Sequence, residues 1–589
     1  MNQPWVRTAL VLSVFAAAFV TLTVTSFTQE SATWDEPQHL IAGYTALKLH
    51  DYRTDPEHPP FLRMWGALPL LAQHDIKMDV NVIDKVDPLT WVGSAQFEFC
   101  HGFLYIMNDA DRLLYPARFM IVLLGVLLGI LLFCWTRELL GFTPAAIVLA
   151  LYTMEPNILA HASLMTTDFG VTCFVFGTLY FLWRTARTFN PANLCGLIGF
   201  FTLAQITKFT ALLLGPVVLL LLAVRVGQPI PWRGSVGRRW ELARVGQRAT
   251  AALTILVALG LTAWVAIWAS YAFRFLPSTS KTWRMDFSTV PFMQTNAPGF
   301  CRIVAWADGH RLLPNAYLQG FLLGQTKAMH RSGFLAGSYS IAGWWYFFPF
   351  AFLIKTPVSI LVLFLGGLVL CAVRRGRFLS DDLYPLLAIA GFLGPAMMAK
   401  LNIGLRHILP VYPFVSLLAG KAVAELGNSN RRPLQGLLGA LCLLAVVEEA
   451  SVYPHCLAFF NRFVGGPRNG YNYLVDSSLD WGQDLKGLKR WMVENDVQHI
   501  NLSYFGTADP AYYKINCTHL PGAPFFDEPL VTEPKLPGFV AVSATNLRGV
   551  YFDERWRDFY KPLLETKPVT NIGYSIYVYW VERPWWPPR

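Results

Sequence analysis

The sequence is dominated by apolar runs of about 20 residues that are separated by short polar segments. A helix of about 20 residues has the length needed to cross the hydrocarbon core of a bilayer. Of the 589 residues, 54% are hydrophobic and only 15% are charged, whereas soluble domains carry roughly 25% charged residues. The chain is therefore predicted to be an α-helical polytopic membrane protein.

About eleven transmembrane helices are predicted from these runs. They cover about 8–28, 113–136, 143–159, 168–184, 194–224 (two short helices that turn at Lys208), 250–271, 346–372, 383–399, 408–424 and 434–450. The first run lacks a small-x-small cleavage site, which favours a retained helix over a signal peptide. The segment 225–248 has six Arg and one Glu, a bias typical of a cytoplasmic loop. This bias places the N-terminus inside and explains the positive charge without a nucleic-acid partner.

This topology divides the chain into a transmembrane domain, 1–450, and a C-terminal extracytoplasmic α/β domain, 451–589. The transmembrane domain carries two large external loops, 29–112 and 272–345. In the C-terminal domain, "QHINLSYFG", "GFVAVSA" and "YSIYVYWVE" have the composition of strands. The segment "LDWGQDLKGLKRWMVEND" has helical periodicity, with Asp480 as its predicted N-cap.

Nine cysteines occur without the spacing of a metal site or a CxxC motif. Five lie in apolar runs and are interpreted as packing residues: Cys134, Cys173, Cys195, Cys371 and Cys442. The other four are predicted to be external, where a disulfide can form: Cys100, Cys301, Cys456 and Cys517. Their connectivity cannot be read from the sequence.

Ionisable residues gather at the predicted external ends of the helices. Charge beside a bilayer is costly unless it is paired or functional, and these residues are therefore the candidate site. They are Asp35 and Glu36 in "SATWDEPQHL", His58 in "PEHPPF", His161 and Asp168 in "EPNILAHASLMTTDFG", Lys208 in "ITKFT", and Arg406 and His407 in "KLNIGLRHILPVYP".

Carboxylates and cations at one membrane surface suit group transfer from a lipid phosphate. Lys208 and Arg406 can hold the phosphate and offset the charge that develops on it. A carboxylate can take the proton from an attacking hydroxyl as general base. Asp35 and Asp168 can instead hold a divalent cation, Mg²⁺ or Mn²⁺, against the phosphate.

Each of these residues also has a structural interpretation. Thr33 and Glu36 have the spacing of a capping box before the helical segment "PQHLIAGYTALKLH". Asp168 can cap the fourth span, and Lys208 and Arg406 can extend to lipid headgroups. The histidines can serve packing or turns. A further set, Asp476, Asp480 and Asp484, is spaced by four residues, and caps on a solvated face explain it without a metal.

The chain resembles the GT-C glycosyltransferases of the protein O-mannosyltransferase and lipid A aminoarabinose-transferase group. The resemblance covers about residues 5–425 and rests on the order of six segments: "WDEPQHL", "EHPPFLRMWGALPLL", "PNILAHASLMTTD", "AQITKFTALLLGP", "GWWYFFPFAFLIKTP" and "IGLRHILPVYP". It implies transfer of a hexose or pentose from a polyprenyl-phosphate carrier to an extracytoplasmic acceptor hydroxyl, with inversion, in a bacterial inner membrane. The acceptor class, whether protein, lipid or glycan, stays open.

The resemblance also implies a role for individual residues. Asp35 is expected to be the catalytic base, assisted by Glu36, and Asp168 the second acidic residue. Lys208 and Arg406 are expected to bind the lipid phosphate. His407, His58 and His161 complete the predicted substrate-binding set.

A transporter or lipid flippase with a cation-binding acidic pair is the alternative function. Such proteins carry repeated halves and ionisable or broken helices near the middle of the membrane. No repeat is visible in this sequence, and the charges lie at one edge of the predicted bundle. A lipid-linked-sugar transferase is therefore the leading hypothesis.

Overall fold

The computed structural model describes residues 4–90, 92–236, 238–280, 283–329, 331–373, 381–522 and 534–585. The helices are α1 (Pro4–Phe27), α2 (Glu36–Leu49), α3 (Phe61–Ala67), α4 (Asn81–Asp84), α5 (Ser94–His101), α6 (Ala110–Leu140), α7 (Phe142–Thr153), α8 (Pro156–Ala162), α9 (Thr167–Arg187), α10 (Pro191–Gln205), α11 (Leu214–Gly227), α12 (Val245–Ser270), α13 (Pro291–Asn296), α14 (Pro298–Gly309), α15 (Asn315–Lys327), α16 (Phe347–Lys355), α17 (Val358–Val373), α18 (Leu383–Met398), α19 (Tyr412–Gly427), α20 (Arg432–Ala450), α21 (Leu485–Glu494), α22 (Ala544–Leu547) and α23 (Lys561–Leu564). The strands are β1 (Thr188–Phe189), β2 (Trp232–Val236), β3 (Arg238–Leu242), β4 (Gly333–Leu335), β5 (Ser338–Ser340), β6 (Ile500–Ser503), β7 (Cys517–His519), β8 (Gly538–Ser543), β9 (Thr570–Ile572) and β10 (Ile576–Val581).

The helical polytopic architecture is confirmed, with fewer full-length spans than the predicted eleven. In the described part of the chain, seven helices are long and apolar enough to cross a membrane, and two bent helix pairs raise the number to nine. The two remaining predicted spans correspond to α10 and α18, which have 15 and 16 residues. Both are shorter than the roughly 20 residues that a straight span needs.

Two of the predicted spans are each broken at a proline, which lacks the N–H group that a continuous helix requires. The axes of α7 and α8 differ by 65°, and those of α16 and α17 differ by 117°. Glu155 caps α8 by accepting a hydrogen bond from the N–H of Ile158 at 2.6 Å. Glu448 of α20 accepts the first N–H of α17 at 2.8 Å. These carboxylates satisfy backbone donors that a break would otherwise leave buried and unpaired.

The predicted break at Lys208 is also present. Helix α10 ends at Gln205, and a 3₁₀ turn, Phe209–Leu213, leads into α11. Lys208 lies between the two with an extended backbone. A continuous helix would have placed this ammonium group among lipid chains, which is costly.

A buried ion pair joins α2 to α6. The Arg118 guanidinium donates to both carboxylate oxygens of Glu36, at 2.6 and 2.8 Å, and both side chains are fully buried. Arg118 also donates to the carbonyls of Phe27 and Ser31, each at 2.8 Å. The pair therefore holds the end of α1 and the start of α2 on the same helix.

Half of the predicted capping box is present. The Glu36 carboxylate accepts the N–H of Thr33 at 2.8 Å. However, α2 begins at Glu36 with Asp35 in the N-cap position, and no side chain caps it. Glu36 therefore supports the turn before α2, while its principal partner is Arg118.

The C-terminal segment contains a five-stranded mixed sheet in the order β7-β6-β8-β10-β9. Strand β6 runs parallel to β7 and β8, whereas β10 runs antiparallel to β8 and β9. The three predicted strands are confirmed as β6, β8 and β10. The predicted cap is wrong, because α21 begins at Leu485 and Asp480 instead accepts the N–H of Thr545 at 2.8 Å.

The segment between α20 and the sheet is packed on one end of the helical bundle. The N–H of Ser31 donates to the carbonyl of Gln483 at 2.8 Å, and the N–H of Trp34 donates to that of Trp481 at 2.9 Å. These bonds connect the turn before α2 to a stretch of chain more than 400 residues away. The end of the bundle and the C-terminal segment therefore share one buried core.

All nine cysteines are free thiols. Cys100, Cys301 and Cys456 are buried, and the Sγ atom of Cys456 lies 3.2 Å from the Glu449 carboxylate. The external disulfide that the sequence allows is therefore not formed in this structure.

Replacing Arg118 by Met is expected to lower the unfolding temperature of the purified protein in detergent. The substitution leaves the Glu36 carboxylate buried without its counter-charge, and removing one partner of a buried pair costs about 3–5 kcal/mol. Thermal unfolding followed by tryptophan fluorescence measures the effect. Arg137→Met, at an exposed position of the same helix, is the matched control. Equal unfolding temperatures for the two variants would contradict the assignment.

Candidate active site

A cavity of about 760 Å³ opens at the end of the bundle that contacts the C-terminal segment. Its volume falls within the range of about 300–1,000 Å³ that is typical of small-molecule sites. Side chains from the first external loop, from the helices and from the C-terminal segment contribute to its lining. The lining includes Trp34, Asp35, Gln38, His39, Asp55, Glu57, His58, Phe97, Lys208, Leu212, Gln325, Lys327, Arg331, Phe392, Ala396, Arg406, His407, Phe505 and Tyr551.

Two carboxylates and two cations form one network at this cavity. Arg406 donates to Asp35 at 2.6 Å and lies 3.8 Å from Asp168. Lys208 lies 2.5 Å from the other oxygen of Asp168. Asp168 is in the first turn of α9 and does not line the cavity, so that its role is to hold Lys208 and Arg406 from behind. Asp35 is 23% exposed and is the carboxylate of this network that faces the cavity.

Arg406 is held by a ring as well as by carboxylates. Its guanidinium carbon lies 4.2 Å from the ring centroid of Trp481, in a cation–π contact. Its Nε atom and the Nε2 atom of His407 are buried and have no hydrogen-bond partner among the described residues. Buried polar groups are normally paired, so two adjacent unpaired nitrogens at a cavity indicate a place for a hydrogen-bonding ligand.

The electrostatic environment keeps Asp35 ionised. Burial by itself would raise the pKa of this carboxyl group, but the charges of Arg406 and His39 outweigh it, and the pKa of Asp35 lies below its ordinary value. The same balance holds for Glu36, whose pKa is lowered because Arg118 outweighs the effect of burial. Both acidic residues are therefore carboxylates at neutral pH, but only one of them reaches the cavity.

A second charged group lies beside Asp35. The Nδ1 atom of His39 is 3.2 Å from Asp55, and Arg63 is 2.8 Å from the same carboxylate oxygen. The rings of His39 and His58 are 5.2 Å apart. Burial, together with the positive charge of neighbouring groups, lowers the pKa of His58 to about 3. His58 is therefore a neutral polar group at pH 7 and supplies no charge to a bound anion.

The structure brings five of the eight predicted residues to the cavity wall: Asp35, His58, Lys208, Arg406 and His407. Asp168 lies immediately behind them. The other two predicted residues lie outside the cavity lining. The Glu36 carboxylate is fully buried against Arg118. His161 is buried and lies edge-on to Trp481, with ring centroids 6.4 Å apart, outside the lining.

Other lining residues were not predicted from the sequence. His39 lies four residues after Asp35, and its N–H donates to the Asp35 carbonyl at 3.1 Å, so helical spacing within "WDEPQHL" was an available signal. Asp55 immediately precedes the segment "PEHPPF", which contains His58. Arg331 and Tyr551 lie in irregular segments, and no local pattern distinguishes them.

The predicted divalent cation has no recognisable ligand set. Within the described residues, no group of three or more His, Cys, Asp or Glu side chains is arranged to hold a metal ion. Asp35 and Asp168, the predicted ligands, each face a cation instead.

Comparison with solved structures identifies the architecture. The Saccharomyces cerevisiae protein O-mannosyltransferase Pmt1–Pmt2 complex, bound to the sugar donor, matches with a TM-score of 0.50 at 12% identity, over 77% of this chain and 90% of that chain. The chain shares the overall fold of that structure, the GT-C type of fold that its sequence predicts. A family model described as dolichyl-phosphate-mannose-protein mannosyltransferase matches residues 99–237, roughly a quarter of the sequence, which includes Asp168 and Lys208.

Two further solved structures match at lower similarity. ArnT from Cupriavidus metallidurans, bound to undecaprenyl phosphate, has a TM-score of 0.39 and 12% identity, over 98% of both chains. The oligosaccharyltransferase of Archaeoglobus fulgidus, in the apo form, has a TM-score of 0.43 and 14% identity, over 75% of this chain and 55% of that chain. No curated protein sequence matches significantly.

Replacing Asp168 by Asn is expected to destabilise the protein, because Lys208 and Arg406 then share a single counter-ion. Loss of a buried partner costs about 3–5 kcal/mol, and thermal unfolding in detergent measures it. Glu138→Gln is the control, since Glu138 forms a half-exposed pair with Arg184 whose loss costs at most about 1 kcal/mol. Equal unfolding temperatures for the two variants would exclude Asp168 as the supporting group.

Proposed function

We propose that this protein is a membrane glycosyltransferase that moves a sugar from a polyprenyl-phosphate carrier to an extracytoplasmic acceptor hydroxyl. The observation that carries the proposal is a single cavity that joins an ionised carboxylate, Asp35, to two cations, Arg406 and Lys208, and to an apolar wall. The GT-C fold and the matched family model agree with this class of reaction.

The phosphate of the donor is assigned to the cations. Arg406 and Lys208 lie on opposite sides of Asp168, and the unpaired Nε atom of Arg406 offers an additional donor. Charge-assisted hydrogen bonds of this kind are strongest toward anionic oxygens. The support from Asp168 holds both cations in place before the ligand arrives, which is how electrostatic stabilisation is preorganised.

The polyprenyl chain is assigned to the apolar side of the cavity. Leu212, Phe392 and Ala396 belong to this side, and Leu212 is 46% exposed. Phe392 and Ala396 lie in α18, and Leu212 lies in the turn before the apolar helix α11. A lipid-linked donor can place its phosphate at Arg406 while its chain stays in the bilayer.

The proposed reaction is a single displacement at the anomeric carbon of the sugar. The acceptor oxygen forms the new C–O bond as the bond between that carbon and the phosphate oxygen breaks, which inverts the configuration. The acceptor proton passes to Asp35, and polyprenyl phosphate leaves with the bonding electron pair. Arg406 and Lys208 offset the charge on the departing phosphate. A phosphate also competes with Asp35 for Arg406, which frees Asp35 to accept a proton.

The membrane placement is a further part of the proposal. We place the protein in a bacterial inner membrane, with the C-terminal sheet and the cavity on the extracytoplasmic side. The donor sugar is a hexose or a pentose.

An accessory proposal is that Asp35 and Asp168 bind Mg²⁺ or Mn²⁺. Transfer assays with EDTA test it, since a dependence on metal appears as loss of activity that either cation restores.

A transporter or lipid flippase is the second candidate, and the two broken spans favour it. Discontinuous helices line substrate sites in many transporters. The charged groups described here lie instead at the end of the bundle, under the C-terminal segment. Movement of a polyprenyl-phosphate sugar across proteoliposomes without bond cleavage would establish the transporter and exclude the transferase.

Asp35→Asn is expected to reduce sugar transfer by at least about 100-fold, because a positioned general base contributes about 10²–10⁴ in rate. The assay uses the purified protein, radiolabelled polyprenyl-phosphate sugars and a mixture of candidate acceptors. Asp79→Asn is the control, since Asp79 is exposed in the same external loop. Full turnover by folded Asp35→Asn would remove the base assignment.

The pH dependence of transfer provides a second test. Asp35 acts as the carboxylate, and its lowered pKa keeps it ionised to more acidic pH than an ordinary aspartate. His39→Gln removes a positive neighbour, so the pKa of Asp35 rises and the acidic limb of kcat/KM is expected to move to higher pH. His74→Gln, at an exposed position, should leave the limb in place. A limb that stays fixed in His39→Gln contradicts the coupling.

A further inference from the structure

Part of the cavity wall takes no part in the proposed donor site. Four aromatic rings form a continuous series across this part. We call these four rings, together with the side chain of Gln38, the aromatic–amide wall. The Phe97 and Trp34 ring centroids are 5.7 Å apart, those of Trp34 and Phe505 are 4.8 Å apart, and those of Phe505 and Tyr551 are 5.7 Å apart. The wall begins at Phe97, passes through Trp34, the residue before Asp35, and ends in the C-terminal segment.

The wall is held rigidly beside the base. The carbonyl of Trp34 accepts a hydrogen bond from the Thr507 hydroxyl at 2.9 Å, and the N–H of Trp34 donates to the Trp481 carbonyl at 2.9 Å. Tyr551 donates its hydroxyl to Asp476 and accepts from Arg331 at 3.0 Å. A molecule resting on the wall is therefore placed next to Asp35 by backbone and side-chain contacts on both sides.

The wall is electrically neutral. Lys327 is paired with Glu57 at 2.5 Å. Arg331 lies 3.4 Å from Asp476 as well as bonding Tyr551. The described residues near the wall therefore offer no unpaired cation for a phosphate or carboxylate, apart from those assigned to the donor. A neutral molecule fits this surface better than an acidic lipid headgroup.

The polar groups of the wall are amides. The side chain of Gln38 is half-buried and makes no hydrogen bond to the residues that the structure describes, and Gln325 lines the same cavity. A side-chain amide donates and accepts hydrogen bonds at the same time, as a sugar hydroxyl does. The half-buried rings of Trp34, Phe97 and Tyr551 offer apolar contact area for the C–H groups of a pyranose ring. Phe505 is 1% exposed and supports Trp34 and Tyr551 by stacking between them.

A peptide acceptor has less support. Extended peptides commonly bind by adding a strand to an exposed sheet edge. The edge strands of the C-terminal sheet are β7 and β9, whereas the cavity receives Phe505, which follows β6, and Tyr551, which follows α22. Neither edge strand of the C-terminal sheet contributes a residue to the cavity lining.

We propose, resting on the proposed function, that the aromatic–amide wall is the acceptor subsite and that its ligand is a neutral saccharide. A hydroxyl of the bound saccharide then points at Asp35, which takes its proton in the displacement described above. The C-terminal segment supplies Tyr551 to the surface of the wall and Phe505 as its support, so it contributes to the choice of acceptor.

The test uses the full-length protein in nanodiscs with radiolabelled polyprenyl-phosphate mannose as donor. The acceptor panel contains neutral α- and β-linked trisaccharides, a phosphorylated trisaccharide and a Ser/Thr-containing peptide. Binding of undecaprenyl phosphate is measured in parallel. We expect transfer to a neutral trisaccharide, with KM raised at least 10-fold in Gln38→Ala and in Phe97→Leu. Their Kd for undecaprenyl phosphate should stay within twofold of wild type, which shows that each variant is folded.

The control is Gln435→Ala, an exposed amide on α20, for which KM should not change. Preferential transfer to the peptide or to the phosphorylated trisaccharide would overturn the saccharide assignment, as would an unchanged KM in both wall variants. Binding of undecaprenyl phosphate without transfer to any neutral saccharide would also overturn it, while leaving the donor site intact. Failure of the wild-type protein to bind undecaprenyl phosphate would instead refute the proposed function.

Discussion

The buried ion pair between Arg118 and Glu36 is the interaction on which the rest of this site depends. An unpaired charge at zero exposure is prohibitively costly, and a bidentate pair with further backbone partners is tolerated. Because Arg118 also binds the carbonyls at the end of α1 and before α2, it sets the direction in which α2 leaves the bundle. Successive residues of a helix differ by about 100° around its axis, so Glu36 enters the core while Asp35 faces the cavity.

A similar division of roles appears at the second acidic residue. Asp168 is buried behind Lys208 and Arg406, and its charge makes two neighbouring cations stable in a weakly solvated place. Lys208 and Arg406 are therefore held at the cavity by Asp168 before any ligand binds. In both cases a buried carboxylate, Glu36 or Asp168, holds other groups in position at the cavity. Replacing either carboxylate would therefore change the cavity only through the groups that it positions.

The C-terminal segment is part of the site, since it packs into the end of the bundle before it forms its sheet. Trp481 lies against Arg406, and Phe505 stacks on Trp34. The boundary near residue 450 marks a change in secondary structure, while the cavity is assembled across it. The C-terminal segment thus has a direct physical route to influence the shape and charge of the cavity.

The sequence by itself determined the membrane-spanning character, the break at Lys208, the strands of the C-terminal sheet and most of the charged site, because hydrophobic length, charge placement and alternation are local properties. Only the tertiary structure decided that Pro156 and Pro357 break two spans, that Glu36 and His161 leave the cavity, and that Arg331, Phe505 and Tyr551 enter it. These outcomes depend on partners hundreds of residues away, such as Arg118 for Glu36 and Asp476 for Arg331. Local sequence patterns show which side chains are unfavourable to bury. Only the fold brings together the distant partners that stabilise those side chains when they are buried.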